Sequence, residues 1–119
     1  MDISFRQFSE TNVRRSEGAE GFNHPLDAWS TSDWFTAFAG EAGEAGNIIK
    51  KLNRYRDGIT GNKETHAELV SKLRRELGDA FIYLDLLSQS LGFSIGDAAV
   101  EAFNAKSKEI GCPILIGEG

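Results

Sequence analysis

Two acidic pairs with the same spacing are the residues of this chain best suited to chemistry. Glu41 and Glu44 flank Ala-Gly, and Glu76 and Asp79 flank Leu-Gly. On a helix, an i, i+3 spacing places both carboxylates on nearly one face, about one turn apart. Two such helices packed face to face would aim four carboxylates at one point, where repulsion and lost hydration call for a cation. Ligands that are all oxygens favour Mg²⁺ or Mn²⁺, so the spacing predicts a metal centre for phosphate chemistry.

The surroundings of the first pair strengthen this interpretation, because such pairs are also common on solvated helix faces. Gly40, Gly43 and Gly46 lie around it, and each costs a helix roughly 1 kcal/mol relative to alanine. A helix that tolerates them is expected to make room for close packing or for a ligand. The basic run 50–56 follows two turns later and fits either a solvated helix end or a phosphate clamp.

The elements that must position these residues are predicted to be helices, so the fold class is all-α. Apolar residues recur at helical spacing in three segments, about 32–56, 63–91 and 94–110. Ser32 is the predicted N-cap of the first, and Ser94 with Asp97 resembles a capping box for the third. We expect residues 1–31 to form an arm with a short helix near Phe5 and Phe8 that breaks up into loop from Arg14, and residues 112–119 to form a tail.

Composition is that of a single soluble globular domain spanning residues 1–119. The chain is 40% hydrophobic and 26% charged, with a formal net charge of −5 that argues against a nucleic-acid partner. Cys112 is the single cysteine, so no intrachain disulfide is possible. We find no signal peptide and no apolar run that approaches the roughly 20 residues of a membrane span, which predicts a cytoplasmic protein without a membrane partner.

The predicted helices also bear on assembly. Helices of 25 to 29 residues would be about 40 Å long, more than the diameter of a globule of this size. The second helix is apolar on more than one side, which is more than one neighbour covers. These features predict a homo-oligomer, a dimer or tetramer, that completes the core; the alternative is that the N-terminal arm covers the second stripe.

Three motifs in this order give the chain a resemblance to a known family. They are Trp34-(x)₆-Glu41-Ala-Gly-Glu44-Ala-Gly-Asn-Ile-Ile-Lys50-Lys51, then Glu76-Leu-Gly-Asp79-Ala-Phe-Ile-Tyr83, and finally Ala99-Val-Glu-Ala-Phe-Asn104-Ala-Lys106-Ser-Lys108-Glu-Ile-Gly111. Over residues 22–116 the chain resembles the MazG-like all-α nucleoside triphosphate pyrophosphohydrolases. The entry segment 24–34 is similar to a compact phage- and bacterium-associated branch, some members of which, called MazZ, act on (d)GTP.

The resemblance implies an enzyme that hydrolyses (d)NTP to (d)NMP and pyrophosphate as a homo-oligomer with Mg²⁺ or Mn²⁺. By position, the metal ligands would be Glu41, Glu44, Glu76 and Asp79, with Glu41 or Glu44 as the catalytic base. The residues assigned to the substrate would be Trp34, Lys50, Lys51, Tyr83, Asn104, Lys106 and Lys108. Ala102 stands where the family often has a basic residue.

Three other functions fit parts of the sequence. One is a non-catalytic helical oligomer or adaptor whose acidic cluster is merely solvated. Another is a phosphoribosyl-ATP pyrophosphohydrolase, which uses similar chemistry on a different nucleotide. A carboxylate di-iron bundle fits least, because neither His24 nor His66 follows a Glu at Glu-x-x-His spacing.

Overall fold

The structure, a computed structural model that describes residues 1–117, is built from helices. The four are α1 (Phe5–Glu17), α2 (Thr31–Arg56), α3 (His66–Ser90) and α4 (Ile95–Glu109), with a short 3₁₀ turn at Leu26–Ala28. Residues 1–117 contain no strand, which confirms the all-α fold class. None of the helices in this described part carries a stretch that is long and apolar enough to span a membrane.

The N-terminal helix α1 is longer than the sequence predicts. Ser4 caps it by accepting from the Gln7 amide, while the Gln7 side chain accepts from the Ser4 amide. The prediction that Arg14 begins a loop is wrong, because Arg14 and Arg15 occupy the last turn, where cations favour the helix dipole. The helix ends where the Gly18 amide donates to the Arg14 carbonyl.

The N-cap of helix α2 lies two residues earlier than the sequence predicts. Ser30, not Ser32, is the N-cap, and it forms a reciprocal capping box with Asp33. Ser32 lies inside the helix, so its prediction as the cap is wrong. A serine at 30 and an aspartate at 33 satisfy two otherwise unpaired amides, which one serine at 32 cannot match. At the other end, Gly58 takes a φ of +69°, as predicted for the residue after the helix.

Helices α3 and α4 occur where the sequence predicts them, and each is slightly shorter than predicted. Thr65 accepts from the Glu68 amide, and α3 begins at His66 rather than near Lys63. The chain leaves α3 through Gly92, with a φ of +84°. Ser94 then caps α4 by accepting from the Asp97 amide, as the sequence predicts.

By packing, the chain divides into two compact units, and the boundary falls inside α3. The first unit contains Met1–Ala28 and the chain from Asp85 onward; the second is Trp29–Leu84. The prediction of one domain stays a prediction. The buried apolar residues of the second unit come from both of its helices: Trp34, Ala45, Leu69 and Ala80.

The first unit buries a polar network around Asp85, a carboxylate with no exposed surface. Ser9 and Asn12 of α1 donate to Asp85, and so does Gln89 from one turn later in α3. Gln89 also donates to the Ser9 carbonyl. Both carboxylate oxygens are thereby hydrogen-bonded, so the network holds α1 to this part of α3.

Candidate metal centre

Three of the four predicted acidic residues meet between the two helices of the second unit. Glu41 and Glu44 come from α2 and Glu76 from α3, and one carboxylate oxygen of each lies within 4.8 Å of the others. Glu41 and Glu76 are half-buried, whereas Glu44 is exposed. The i, i+3 spacing on α2 therefore places its two carboxylates on one side, opposite the acid of α3.

The cluster contains more negative charge than its neighbours neutralise. In residues 1–117, the acids held in ion pairs are Asp57, Glu64 and Glu109, so none of the three glutamates has a cationic partner. Glu76 Oε2 is shielded from solvent and has no hydrogen-bond donor facing it. A buried acceptor without a donor is costly, so a cation or another donor group would stabilise this cluster.

The neighbouring carboxylates raise the pKa of Glu44. A hydrogen bond with Glu76 raises the pKa of Glu44 above its ordinary 4.5, and the negative charge of Glu76, then desolvation, then the negative charge of Asp79 add to the effect. Two ionised carboxylates have no proton to share, so their contact is repulsive at neutral pH unless a cation lies between them.

Asp79, the fourth predicted ligand, is half-buried in α3 and stands outside the group of three. Its charge still reaches the site, since it contributes to the raised pKa of Glu44. One helical turn separates it from Glu76, so it lies on the same face of α3. We therefore place Asp79 beside the centre rather than within it.

The donor set fits a hard divalent cation. Three carboxylates supply oxygen ligands only, and the exposed position of Glu44 leaves room for water or substrate oxygens. Mg²⁺ and Mn²⁺ favour such ligands and usually keep several waters.

The two predicted lysines of α2 differ in their surroundings. Lys50 is exposed. Lys51 donates to Glu64 at 2.9 Å, where Glu64 belongs to the connection between α2 and α3. This bond lowers the pKa of Glu64 below 4.5, with further help from the charges of Lys51 and Lys72.

Trp34 and Tyr83, the aromatic residues predicted to contact substrate, lie in one group of rings with Trp29 in the second unit. The ring centroids of Trp29 and Trp34 are 4.6 Å apart, edge to face, and those of Trp34 and Tyr83 are 6.4 Å apart. Trp34 is only 1% exposed, and Trp29 is 37% exposed. A ligand in solvent would therefore contact Trp29 first, and the buried Trp34 ring would support the Trp29 ring.

The predicted substrate residues of α4 lie in the first unit. Asn104 is 9% exposed, and its amide both donates to the Ile116 carbonyl and accepts from the Ile116 amide. Its side chain therefore holds the C-terminal tail in this structure. Lys106 pairs with Glu109 at 3.3 Å, and Lys108 is exposed.

The sequence analysis missed three charged residues that form ion pairs or buried hydrogen bonds in the structure: Glu64, Lys72 and Asp85. Asp85 had a signal, since it is one acid within the apolar run 81–87. Glu64 and Lys72 had none, because neither lies in a motif and their pairing depends on how the connection folds back.

No protein-family model, curated protein or solved structure matches the chain. The candidate centre therefore depends on its own geometry and on the sequence motifs.

Proposed function

We propose that the chain is a metal-dependent nucleoside triphosphate pyrophosphohydrolase that cleaves the α–β phosphoanhydride of (d)NTP to give the monophosphate and pyrophosphate. The observation that carries this proposal is the meeting of Glu41, Glu44 and Glu76 without any cationic partner among the described residues. A cluster of this kind suits a cation that in turn binds phosphate oxygens. The motif order around these residues supports the choice of a nucleotide, including a purine such as (d)GTP.

In this proposal, each carboxylate has a defined part. Glu41, Glu44 and Glu76 hold Mg²⁺ or Mn²⁺, with Asp79 adding negative charge beside them. The bound ion neutralises phosphate oxygens and makes water more acidic. Glu44, the exposed member, or Glu41 takes the proton of the attacking water.

Cations and aromatic rings complete the substrate site in the same proposal. Lys50 and Lys51 neutralise charge that develops on the departing pyrophosphate. Trp29, backed by Trp34 and Tyr83, offers a ring for the base. The assignment of Asn104, Lys106 and Lys108 to the phosphates or sugar stays a prediction from the third sequence motif.

Assembly as a homo-oligomer is part of the proposal, and the free face of α2 supports it. Five small or apolar residues repeat at i, i+4, i+7, i+11 and i+14, and all are exposed: Phe35, Ala39, Ala42, Gly46 and Ile49. Alternating steps of four and three form a continuous stripe suited to another helix. A β-carbon added at Gly46 would meet no atom within 4 Å, so a second helix has room to approach.

Two experiments test the proposal. The purified protein is incubated with a panel of (d)NTPs and phosphoribosyl-ATP in Mg²⁺ or Mn²⁺, and the products are separated. We expect monophosphate and pyrophosphate; nucleoside diphosphate with orthophosphate, or no turnover, would contradict the activity, and preference for phosphoribosyl-ATP would redirect it. Light scattering tests assembly, and a 13.0 kDa particle at micromolar concentration would contradict the oligomer.

A further inference from the structure

One carboxylate in the second unit lies between lysines from two different helices. Glu64 Oε2 is 2.9 Å from Lys51 Nζ of α2 and 4.0 Å from Lys72 Nζ of α3. The Glu64 side chain is only 13% exposed, whereas those of Lys51 and Lys72 are 45% and 59% exposed. Two solvent-accessible cations therefore share one shielded carboxylate oxygen.

The connection that carries Glu64 is held in place without this carboxylate. The Tyr55 hydroxyl donates to the Glu64 backbone carbonyl at 2.5 Å. Asn62 donates to the Lys51 carbonyl, and Arg54 donates to the Thr60 carbonyl. Since none of these hydrogen bonds involves the Glu64 carboxylate, the Glu64 side chain can leave the lysines while the connection stays folded.

The two lysines stand on the same helix faces as the acidic cluster. Lys72 precedes Glu76 by four residues, which is one turn of α3, and Lys51 follows Glu44 by seven residues, which is two turns of α2. The corresponding rises along the helices are about 6 Å and about 10 Å. An anion that reaches from the cluster along the two helices thus arrives at the lysines.

We infer that Lys51 and Lys72 form a phosphate subsite that the Glu64 carboxylate occupies until a polyphosphate displaces it. A phosphate group offers more charge and more acceptor oxygens than a carboxylate, so it binds two ammonium groups better. The exchange costs little, because ion pairs of half-exposed lysines are weak. The inference depends on the proposed function only in one respect, namely that the phosphate belongs to the distal end of a nucleotide.

The test measures binding of inorganic pyrophosphate to metal-free protein by calorimetry in EDTA. Glu64→Gln is compared with Glu101→Gln, which removes the same charge from an exposed position of α4. We expect Glu64→Gln to bind pyrophosphate about three- to fivefold more tightly than Glu101→Gln, because the internal competitor is gone. Equal affinities in these two variants would overturn the inference.

Lys72→Gln provides an independent arm that does not disturb the connection. Because Lys72 makes no backbone hydrogen bond to that segment, we expect the variant to keep its melting temperature and to bind pyrophosphate several-fold more weakly. Unchanged affinity in Lys72→Gln would overturn the inference even if Glu64→Gln failed to fold. Metal-free binding requires neither a cation at the acidic cluster nor hydrolysis, so an intact subsite in a protein without turnover would contradict the proposed function alone.

Discussion

Both units contain carboxylates that are shielded from water, but the surroundings of these carboxylates are opposite in the two units. In the first unit, Asp85 is fully buried and accepts hydrogen bonds from three side chains. In the second, Glu76 has a buried oxygen with no donor, and one of its oxygens lies within 4.8 Å of oxygens from two more carboxylates. A carboxylate surrounded by donors stabilises a fold, whereas carboxylates that face one another lower stability until a cation arrives. The contrast separates a structural acid from candidate ligands without any comparison with relatives.

Neutralising Glu76 should have the largest effect on function and should not destabilise the fold. We expect Glu76→Gln to reduce (d)NTP turnover by about 100-fold or more, because a metal ligand is lost. The melting temperature of the metal-free variant should stay the same or rise, since a Gln amide can donate to Glu44 and one repulsion disappears. Turnover and melting are measured beside Glu101→Gln. A clearly lowered melting temperature with turnover retained would make Glu76 a structural residue.

The reverse pattern is expected for Asp85. In Asp85→Asn, the amide oxygen can still accept from Asn12 and Gln89, but these bonds lose the carboxylate's charge and the amide group faces the Ser9 hydroxyl, which has to turn from donor to acceptor. We expect the free energy of unfolding to fall by about 2 kcal/mol, while Mn²⁺ affinity at the cluster is unchanged. Urea unfolding and Mn²⁺ titration of the same preparation test both statements. Unchanged stability would mean that the three hydrogen bonds contribute nothing net to α1 packing.

A smaller effect should distinguish Asp79 from the three clustered glutamates. Because Asp79 acts on the site through its charge from one turn away, we expect Asp79→Asn to reduce turnover by about tenfold, as substitutions next to metal ligands commonly do. Kinetics at saturating Mn²⁺ measure this. A loss as large as that of Glu76→Gln would instead make Asp79 a ligand of equal rank, as the sequence motif implies.

The smallest expected effect is the pH dependence that Glu44 gives the metal-free protein. Its pKa in the folded chain is raised above 4.5, so the folded state holds a proton that the unfolded state has released. Stability from this group is fully present below about pH 4.5 and is lost as pH rises through the raised pKa. The melting temperature of the wild type minus that of Glu44→Gln should therefore fall across this interval. Saturating Mn²⁺ should reverse the slope, because ligand carboxylates bind metal when deprotonated.

The sequence predicted most of the helical framework because its signals are local. Serine caps, glycines after helix ends and apolar periodicity locate α2, α3 and α4 to within a few residues. The prediction at Ser32 was wrong because Ser30 forms a reciprocal cap with Asp33. The prediction at Arg14 was wrong because a basic pair in a polar stretch also suits the last turn of a helix, where it interacts favourably with the helix dipole. The i, i+3 pairs predicted that four carboxylates would meet at one point, and three of them, Glu41, Glu44 and Glu76, do so.

What the sequence could not provide are contacts between segments far apart in the chain. Asp85 meets Ser9 and Asn12 across more than 70 residues, and no local pattern encodes that pairing. The Asn104 amide is used by Ile116, although the motif around it implies a substrate contact. The pairing of Glu64 with Lys51 spans fewer residues, but it too has no local signal, because it depends on how the connection folds back onto α2.

The most direct test of the central claim is a calorimetric titration of metal-free protein with Mn²⁺. The claim is that Glu41, Glu44 and Glu76 form a cation site, so we expect saturable binding in the wild type and in Glu101→Gln. In Glu76→Gln the affinity should fall at least about tenfold, as expected when one ligand or its close support is removed. No binding at millimolar Mn²⁺, or equal affinity in Glu76→Gln and Glu101→Gln, would show that the three glutamates do not form a cation site.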